Sequence, residues 1–165
     1  EEVCAGKICA MLDRYKPRDL FDAIRLPEFA GDFWRTVRFK RLAIAFTGIL
    51  VHPLHTYGKE RLDRVRDIDI EAELVPMLGN GEPINRAALI SGAWSAIEEI
   101  VTLDDVEREF VDRLQAGEIR ADLLFPDDPE MADRLARWPP LLWKARNVRE
   151  HLSGQDKRRK PKKKP

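Results

Sequence analysis

Cysteine and histidine are scarce in this 165-residue sequence, and their positions exclude several kinds of site. The two cysteines, Cys4 and Cys9, lie five residues apart on one predicted helix and therefore on different faces, which argues against a disulfide between them. No Cys-x-x-Cys pair occurs, and the three histidines are scattered. His52 and His55 come close in sequence but have no evident third ligand, so metal binding there is not expected.

Long apolar runs are absent as well. The most apolar stretch, residues 42–51, has about half of the roughly 20 residues that a membrane-spanning helix needs, and no signal-peptide pattern is present. Apolar residues make up 44% of the chain and charged residues 35%, a composition typical of a soluble helical protein. The sequence thus predicts a cytoplasmic protein without a membrane partner.

No segment alternates strictly between apolar and polar residues, so β-strands are not predicted. Apolar residues recur at helical spacing instead, which predicts an all-α helical bundle with one domain at residues 1–154. The predicted helices cover residues 2–15, 18–26, 32–50, 60–65, 68–78 (bent or ended near Pro76), 85–101, 102–117, 128–138 and 141–152. Pro27 is expected to stop the second helix, Asp32 to cap the third, and Thr102 to cap the helix that ends at Gly117.

Four tryptophans are candidates for the core. Trp143, with Leu142 and Val148, is interpreted as a core-facing patch that docks the last helix, and the remaining tryptophans, at positions 34, 94 and 138, are assigned to the core by default. An alternative stays open for Trp143, because an aromatic side chain also serves as a platform for a nucleic-acid base or for a partner helix.

The net charge of zero conceals an uneven distribution. Residues 157–165 hold seven basic residues and no acidic one, whereas the preceding part has 22 basic against 29 acidic residues, a net charge of −7. A run of Lys and Arg broken by Pro161 cannot build a core, so residues 155–165 are predicted to be a basic disordered tail. Two interpretations of the tail stay open. It is either a non-specific phosphate contact for RNA, or it has no specific role, as a solubilising tail or as a processing or cloning remnant.

Charged side chains are threaded through the first two predicted helices. Lys7 and Arg14 lie seven residues apart, about two helical turns, and project from one face. Asp19 and Asp22 are three apart and also share a face. Pro17 disfavours helix at the preceding residue and suits the first turn of a new helix. The pattern predicts a helical hairpin with two cations facing two carboxylates, which is either a solvated face with loose ion pairs or part of a triphosphate site.

The residues of this hairpin resemble a known signature. The string Glu-x4-Lys-x6-Arg-x3-Arg-Asp-Leu-Phe-Asp runs from Glu2 to Asp22, and Pro-Pro-Leu-Leu-Trp-Lys at 139–144 is followed by Asn-Val-Arg at 147–149. Both segments are similar to those of the AbiEii/AbiGii abortive-infection toxins. These are nucleotidyltransferases of bacterial and archaeal type IV toxin–antitoxin systems. The similarity covers nearly the whole chain up to Gly154, but not the family's N-terminal polymerase-β-like half.

The resemblance implies that the chain is the C-terminal portion of an enzyme that transfers nucleotides from an NTP to an acceptor RNA, for the family a tRNA 3′ end. It implies catalytic roles for Lys7, which neutralises the triphosphate, and Asp22, which orients the acceptor hydroxyl or assists as a carboxylate. Arg14, Arg18 and Asp19 are implied to bind substrate, with Asp19 alternatively capping the second helix. Mg²⁺, an NTP, an acceptor RNA and a cognate antitoxin are implied for the full-length enzyme.

The metal-binding motif of that family is missing. It is a Gly-Ser or Gly-Gly turn followed by Asp-x-Asp, and neither glycine dipeptide occurs here. The one Asp-x-Asp pair, Asp67 and Asp69, follows the Lys7 motif instead of preceding it, and it is interpreted as a helix N-cap and a first-turn acid. No cofactor is predicted for the chain alone, which is expected to be inactive. The alternative is a non-enzymatic helical interaction domain that binds an antitoxin or an RNA.

Overall fold

The structure is a computed structural model that describes residues 1–79 and 83–159, with side chains described up to Gly154. Within these ranges no strand occurs and helices supply the regular structure, which confirms the predicted all-α bundle. None of the described helices is both long and apolar enough to cross a membrane.

Ten α-helices are assigned in these ranges. They are α1 (Glu2–Arg14), α2 (Pro17–Ala30), α3 (Val37–Thr47), α4 (Asp67–Glu73), α5 (Val75–Leu78), α6 (Arg86–Val101), α7 (Asp105–Gln115), α8 (Ala121–Leu124), α9 (Pro129–Ala136) and α10 (Pro139–Arg159). Short 3₁₀ helices cover Gly31–Arg35, Leu54–Thr56 and Lys59–Arg64, so the helix predicted over 60–65 is a 3₁₀ helix.

Helix α1 buries the apolar side of its surface in the core. It packs on α2 and α3, while α6 covers α2, and α7, α8 and α9 follow one another along the chain and in space. The apolar stripe of α1 is buried, with Ala5 and Ile8 fully removed from solvent. Cys4 and Cys9 are buried there as free thiols. Each fully buried large aliphatic side chain contributes about 1.5–3 kcal/mol, so α1 anchors the elements that surround it.

Pro27 does not stop α2, and that prediction was wrong. The helix continues to Ala30, with Pro27 inside its last turn. A proline within a helix removes one backbone hydrogen bond. Leu26 and Ala30, on either side of it, are both buried against the core, and this packing offsets the lost hydrogen bond.

Two predicted caps were wrong by a few residues. Asp32 lies in a 3₁₀ turn, and Thr36 caps α3 instead, its hydroxyl accepting the N–H of Phe39 at 3.2 Å. Thr102 does not cap α7, because its hydroxyl donates to the carbonyl of Glu98 at the end of α6. Asp104 takes that place. In both cases two residues with good capping side chains lie close in sequence, and tertiary packing selects the later one.

The last helix also begins earlier than predicted. Pro139 and Pro140 form its first turn, where a missing N–H costs nothing, and α9 ends before them at Ala136. Gly117 has a φ of +86° after α7, which confirms the predicted left-handed stop. Helix α10 extends to Arg159, so residues 155–159 of the predicted tail are helical. The remainder of that tail, residues 160–165, lies outside the described residues.

Candidate active site

The turn between α1 and α2 sets the geometry of the hairpin. Tyr15 closes α1 in the left-handed conformation, with φ 52° and its N–H donating to the carbonyl of Met11 at 3.1 Å. Lys16 is extended, as a residue before proline should be, and Pro17 occupies the first position of α2. The two helices then pack along each other, which confirms the predicted hairpin.

The hairpin brings the predicted cations against the predicted carboxylates. Arg14 lies near the turn, with its Nη2 2.9 Å from Oδ1 of Asp19. Lys7 lies about two helical turns before Arg14 on α1, and its Nζ is 2.5 Å from Oδ2 of Asp22. This order is the one expected for two antiparallel helices that diverge from a common turn. The pairing is thus confirmed, while the chemical roles of the four residues stay predictions.

Lys7 and Asp22 lie in an open cleft of about 500 Å³ between α1 and α2. Their side chains are 46% and 43% exposed, so both are accessible to a ligand. We call this the hairpin cleft, and it is lined by Val3, Lys7, Asp22, Arg25, Leu26, Glu28 and Phe29. Two cations and two carboxylates balance its charge, and the remaining lining is apolar.

The Lys7–Asp22 pair retains unused hydrogen-bonding capacity. An ammonium has three N–H donors and a carboxylate has two oxygens, and only one of each takes part in the contact between them. Because an exposed ion pair contributes about 0–1 kcal/mol, an incoming phosphate competes for Lys7 at little cost. Arg25 adds a second cation to the cleft, with its guanidinium 5.7 Å from the ring centre of Phe21.

Arg14, Arg18 and Asp19 belong to a second cleft, of about 330 Å³, which also includes Lys16 and Glu73. The sequence suggested one site for all of the charged residues of the hairpin, and the structure separates them into two. Arg14 remains 57% exposed despite its contact with Asp19. Its guanidinium is therefore available to a phosphate.

Lys16 and Arg18 tie the hairpin to α4. Lys16 Nζ lies 2.7 Å from Oε1 of Glu73, and Nε of Arg18 donates to the carbonyl oxygen of Glu73 at 3.0 Å. Glu73 is the last residue of α4, whose terminal carbonyls lack helical partners, so Arg18 satisfies one of them. Glu73 could not be predicted from the sequence, because it is 57 residues from Lys16 and no pattern links the two.

Two further charged residues, Glu2 and Asp69, form ion pairs in the structure. Glu2, the first residue of the signature, forms an ion pair with Arg134 of α9. Asp69 accepts hydrogen bonds from Nε and Nη2 of Arg66, at 2.7 and 2.6 Å. The Arg66 guanidinium holds the pKa of Asp69 below its usual value. Asp69 is the predicted first-turn acid, whereas Asp67 is the first residue of α4 and not its N-cap, which is Arg66.

No group of three Asp, Glu, His or Cys side chains within the described part of the chain could hold a metal ion. Nδ1 of His55 lies 3.9 Å from a carboxylate oxygen of Asp112. These two side chains alone do not form a set of metal ligands. The described residues therefore do not fit the magnesium site that the family resemblance implies.

No family model, curated protein or solved structure matches the chain. The resemblance to the AbiEii/AbiGii toxins therefore depends on the two sequence segments alone.

The second segment of the signature lies on α10, and its side chains are oriented differently from the prediction. Trp143 is 64% exposed and Leu142 46%, so the core-facing patch was wrong for both, and Val148 is only partly buried. Helix register explains the difference, because Leu141 and Ala145 occupy the buried positions on either side. The other three tryptophans are partly buried and pack against the core.

Lys144 is the unexpected buried residue of α10. It is only 8% exposed, and its Nζ donates to the carbonyl of Leu50 at 2.6 Å and more weakly to that of Val51. A lysine stem can line an apolar interior while its ammonium reaches polar atoms. Burial lowers the pKa of Lys144 from its ordinary value. Lys144 thus fastens α10 to the segment that follows α3.

Proposed function

We propose that this chain is the helical part of a nucleotidyltransferase toxin of the type IV toxin–antitoxin kind, which transfers nucleotides from an NTP to an acceptor RNA, a tRNA 3′ end by the family resemblance. The observation that carries the proposal is the Lys7–Asp22 pair in the open hairpin cleft. It joins the two residues that the signature assigns to catalysis, in a place that a ligand can reach.

In this proposal Lys7 binds the triphosphate. Nucleotidyl transfer requires little covalent chemistry from the protein, because positioning and neutralisation of phosphate charge supply most of the catalysis. Lys7 and Arg25 bring two cations to one cleft. Asp22 holds the ammonium of Lys7 in place and directs its unused carboxylate oxygen at the hydroxyl of the acceptor.

The second cleft positions the acceptor in the same proposal. Arg14 contacts a phosphate of the RNA with its exposed guanidinium, and Asp19 fixes the orientation of that guanidinium. Arg18 uses its Nε on Glu73 and has its terminal nitrogens for a phosphate. Magnesium would supply further charge neutralisation in the whole enzyme, but no group of the described residues could hold it.

The test measures transfer of a labelled nucleotide to total tRNA by a protein that joins this chain to the polymerase-β-like half. Lys7→Met and Asp22→Asn should each abolish labelling. Because both side chains are nearly half exposed, each change should alter the free energy of unfolding by no more than about 1 kcal/mol. Lys59→Met is the matched control, since Lys59 is an exposed lysine that contacts Ser91 outside both clefts. Full labelling by both cleft variants would contradict the proposal.

The chain alone should transfer no nucleotide, because no Asp-x-Asp pair stands in the position that the family pattern requires. Incubation of the pure chain with labelled NTPs, magnesium and tRNA should leave the RNA unlabelled. Magnesium-dependent labelling would show that the metal ligands are contained in these 165 residues.

A second candidate function is a non-enzymatic interaction domain that binds an antitoxin protein. The observation in its favour is the apolar rim of the hairpin cleft, where Val3 is 68% and Phe29 77% exposed. In this case Phe29→Ser should weaken binding of the purified antitoxin in a calorimetric titration, and nucleotide transfer should be missing even from the longer protein. Transfer by the longer protein would reject this candidate.

A further inference from the structure

The hairpin cleft has an exposed rim, formed by Val3, Arg25, Glu28 and Phe29. Phe29 is 77% exposed and Val3 68%, so the rim presents apolar surface to water. An aromatic side chain left in water beside other apolar groups marks an interaction surface more often than a random position does. Because these side chains are already exposed, a partner can contact them while α1 and α2 stay as they are.

The rim also carries an arginine and a glutamate. Neither Arg25 nor Glu28 forms an ion pair with any residue whose side chain the structure describes. The two are three residues apart on α2, but the guanidinium of Arg25 lies 5.7 Å from the ring centre of Phe21, about one turn earlier, and thus points away from Glu28. The other charges of the cleft, Lys7 and Asp22, pair with each other. Among the described residues of the rim, one cation and one anion therefore remain for a partner.

We propose that a second copy of this chain docks on the rim, so that two chains form a weak symmetric dimer through α2. A two-fold interface uses the same patch of both chains, so the patch has to be complementary to itself. The rim meets this condition, because it carries both signs of charge beside its apolar surface. A partner of a single charge sign would leave either Arg25 or Glu28 without an opposite charge.

Helix geometry gives the register of this dimer. Opposite residues of two antiparallel helices have a constant sum of residue numbers. A two-fold axis that crosses α2 between Arg25 and Glu28 therefore places each Arg25 opposite Glu28 of the other copy. Phe29 lies one turn beyond Arg25 on the same face of the helix, so its ring packs against α2 of the other copy. The dimer thus forms two ion pairs and removes two phenylalanine rings from water.

This inference goes beyond the proposed function and does not depend on it. The dimer covers the cleft that holds Lys7 and Asp22, so self-association and ligand binding at this pair exclude each other. The seven residues that line the cleft are few against the roughly 20–30 residues a side of a standard interface, so the dissociation constant should be micromolar or weaker. Self-association is measured without any nucleotide, so failure of the chemistry and failure of the dimer are distinguishable.

The test is sedimentation velocity of the full chain at concentrations from about 5 to 500 µM. The unchanged chain should shift from monomer to dimer over this range. Phe29→Ala should raise the dissociation constant at least about 10-fold, because the ring is lost from both copies. Arg25→Glu and Glu28→Arg should each have an effect of about the same size, because each places like charges opposite one another twice. Arg108→Glu is the matched control, since Arg108 is an exposed arginine of α7 outside the cleft, and it should dimerise like the unchanged chain.

The decisive experiment mixes the two charge-reversed variants. Arg25→Glu presents two carboxylates and Glu28→Arg presents two cations, so the mixture should form a heterodimer at a concentration where each variant alone is a monomer. The double variant with both changes should dimerise within about threefold of the unchanged chain, because each pair is restored with its signs exchanged. Association in the mixture would also show that both variants are folded.

Three results would overturn the proposal. The first is a chain that stays monomeric at the highest concentration, which would leave the rim to another occupant. The second is a dimer that Phe29→Ala, Arg25→Glu and Glu28→Arg all leave intact, since it would use another surface. The third is a mixture of the two charge-reversed variants that associates no better than either variant alone.

Discussion

Replacement of Glu107 should destabilise the fold more than replacement of an exposed carboxylate on the same helix. Glu107 is 1% exposed on α7. Its Oε2 accepts the N–H of Asp104 at 2.9 Å and lies 2.7 Å from Nζ of Lys40, which also donates to the carbonyl of Thr102 at 2.8 Å. The Glu107–Lys40 pair thus joins the start of α7, the end of α6 and the first turn of α3.

The magnitude follows from what Glu107→Ala leaves behind. Loss of one partner from a buried ion pair costs about 3–5 kcal/mol. The side chain of Lys40 is 25% exposed and keeps Thr102 as a partner, which lowers the expected loss to about 2–4 kcal/mol. Glu107→Gln keeps an oxygen for the N–H of Asp104 but loses the charge opposite Lys40. Its cost should therefore be smaller, about 1–2 kcal/mol.

Glu109→Ala is the matched control, two residues along the same helix. Its side chain is 48% exposed and lies 3.3 Å from Arg113 one turn later, a pair with a contribution of at most about 0.5 kcal/mol. Urea denaturation should give the free energies directly. For a chain of this size about 3 kcal/mol corresponds to a fall of roughly 6–12 °C in melting temperature. If Glu107→Ala and Glu109→Ala unfold at the same urea concentration, the assignment of Glu107 as a buried anchor is wrong.

Three further predictions concern two glycines, a cysteine and a lysine. An added Cβ at Gly48 would lie 2.7 Å from a methyl group of Leu114, so Gly48→Ala should lower the free energy of unfolding by about 1–3 kcal/mol. Gly6→Ala, in open space on α1, should raise it by about 0.5–1 kcal/mol; urea curves of equal midpoint would refute this contrast. Burial raises the pKa of Cys9 to about 11, so iodoacetamide at pH 8 should label this thiol far more slowly in the folded than in the unfolded chain, and equal rates would contradict its burial. Burial also lowers the pKa of Lys144 below 10.5, so the unfolded state binds more protons just below that pH, and the stability of the unchanged chain relative to Lys144→Met should increase as the pH rises towards 10.5. A difference that stays constant from pH 7 to 10.5 would show that the ammonium is not desolvated.

Local patterns predicted the hairpin correctly because all of its determinants lie within 22 residues. Helix spacing places Lys7 opposite Asp22 once Pro17 has fixed the turn, and no distant contact is required for that register. The buried stripe of α1 follows from the same periodicity. The separation into two clefts did not follow, because Glu73 reaches the turn from α4 and draws Lys16 and Arg18 away from Lys7.

Tertiary contacts determine the cap of α7 and the orientation of α10, which could not be predicted from the sequence. Thr102 and Asp104 are both good capping residues, and the choice between them depends on Lys40, which is more than 60 residues away. Hydrophobicity alone placed Trp143 in the core. The packing of α10 buries the stem of Lys144 instead, because its ammonium finds two carbonyl oxygens at the end of that stem.

The contacts of Lys16 and Arg18 with Glu73 make the second cleft and the docking of α4 thermodynamically linked. An anion that draws Lys16 and Arg18 away from α4 replaces the carboxylate and the carbonyl oxygen of Glu73. The apparent affinity for this anion is therefore lower than its intrinsic affinity, by the free energy that holds α4 against the hairpin. The same linkage acts in reverse, because occupation of the cleft shifts α4 towards its undocked state. A helix remote from the hairpin in sequence thereby becomes a competitor for the ligand of the hairpin.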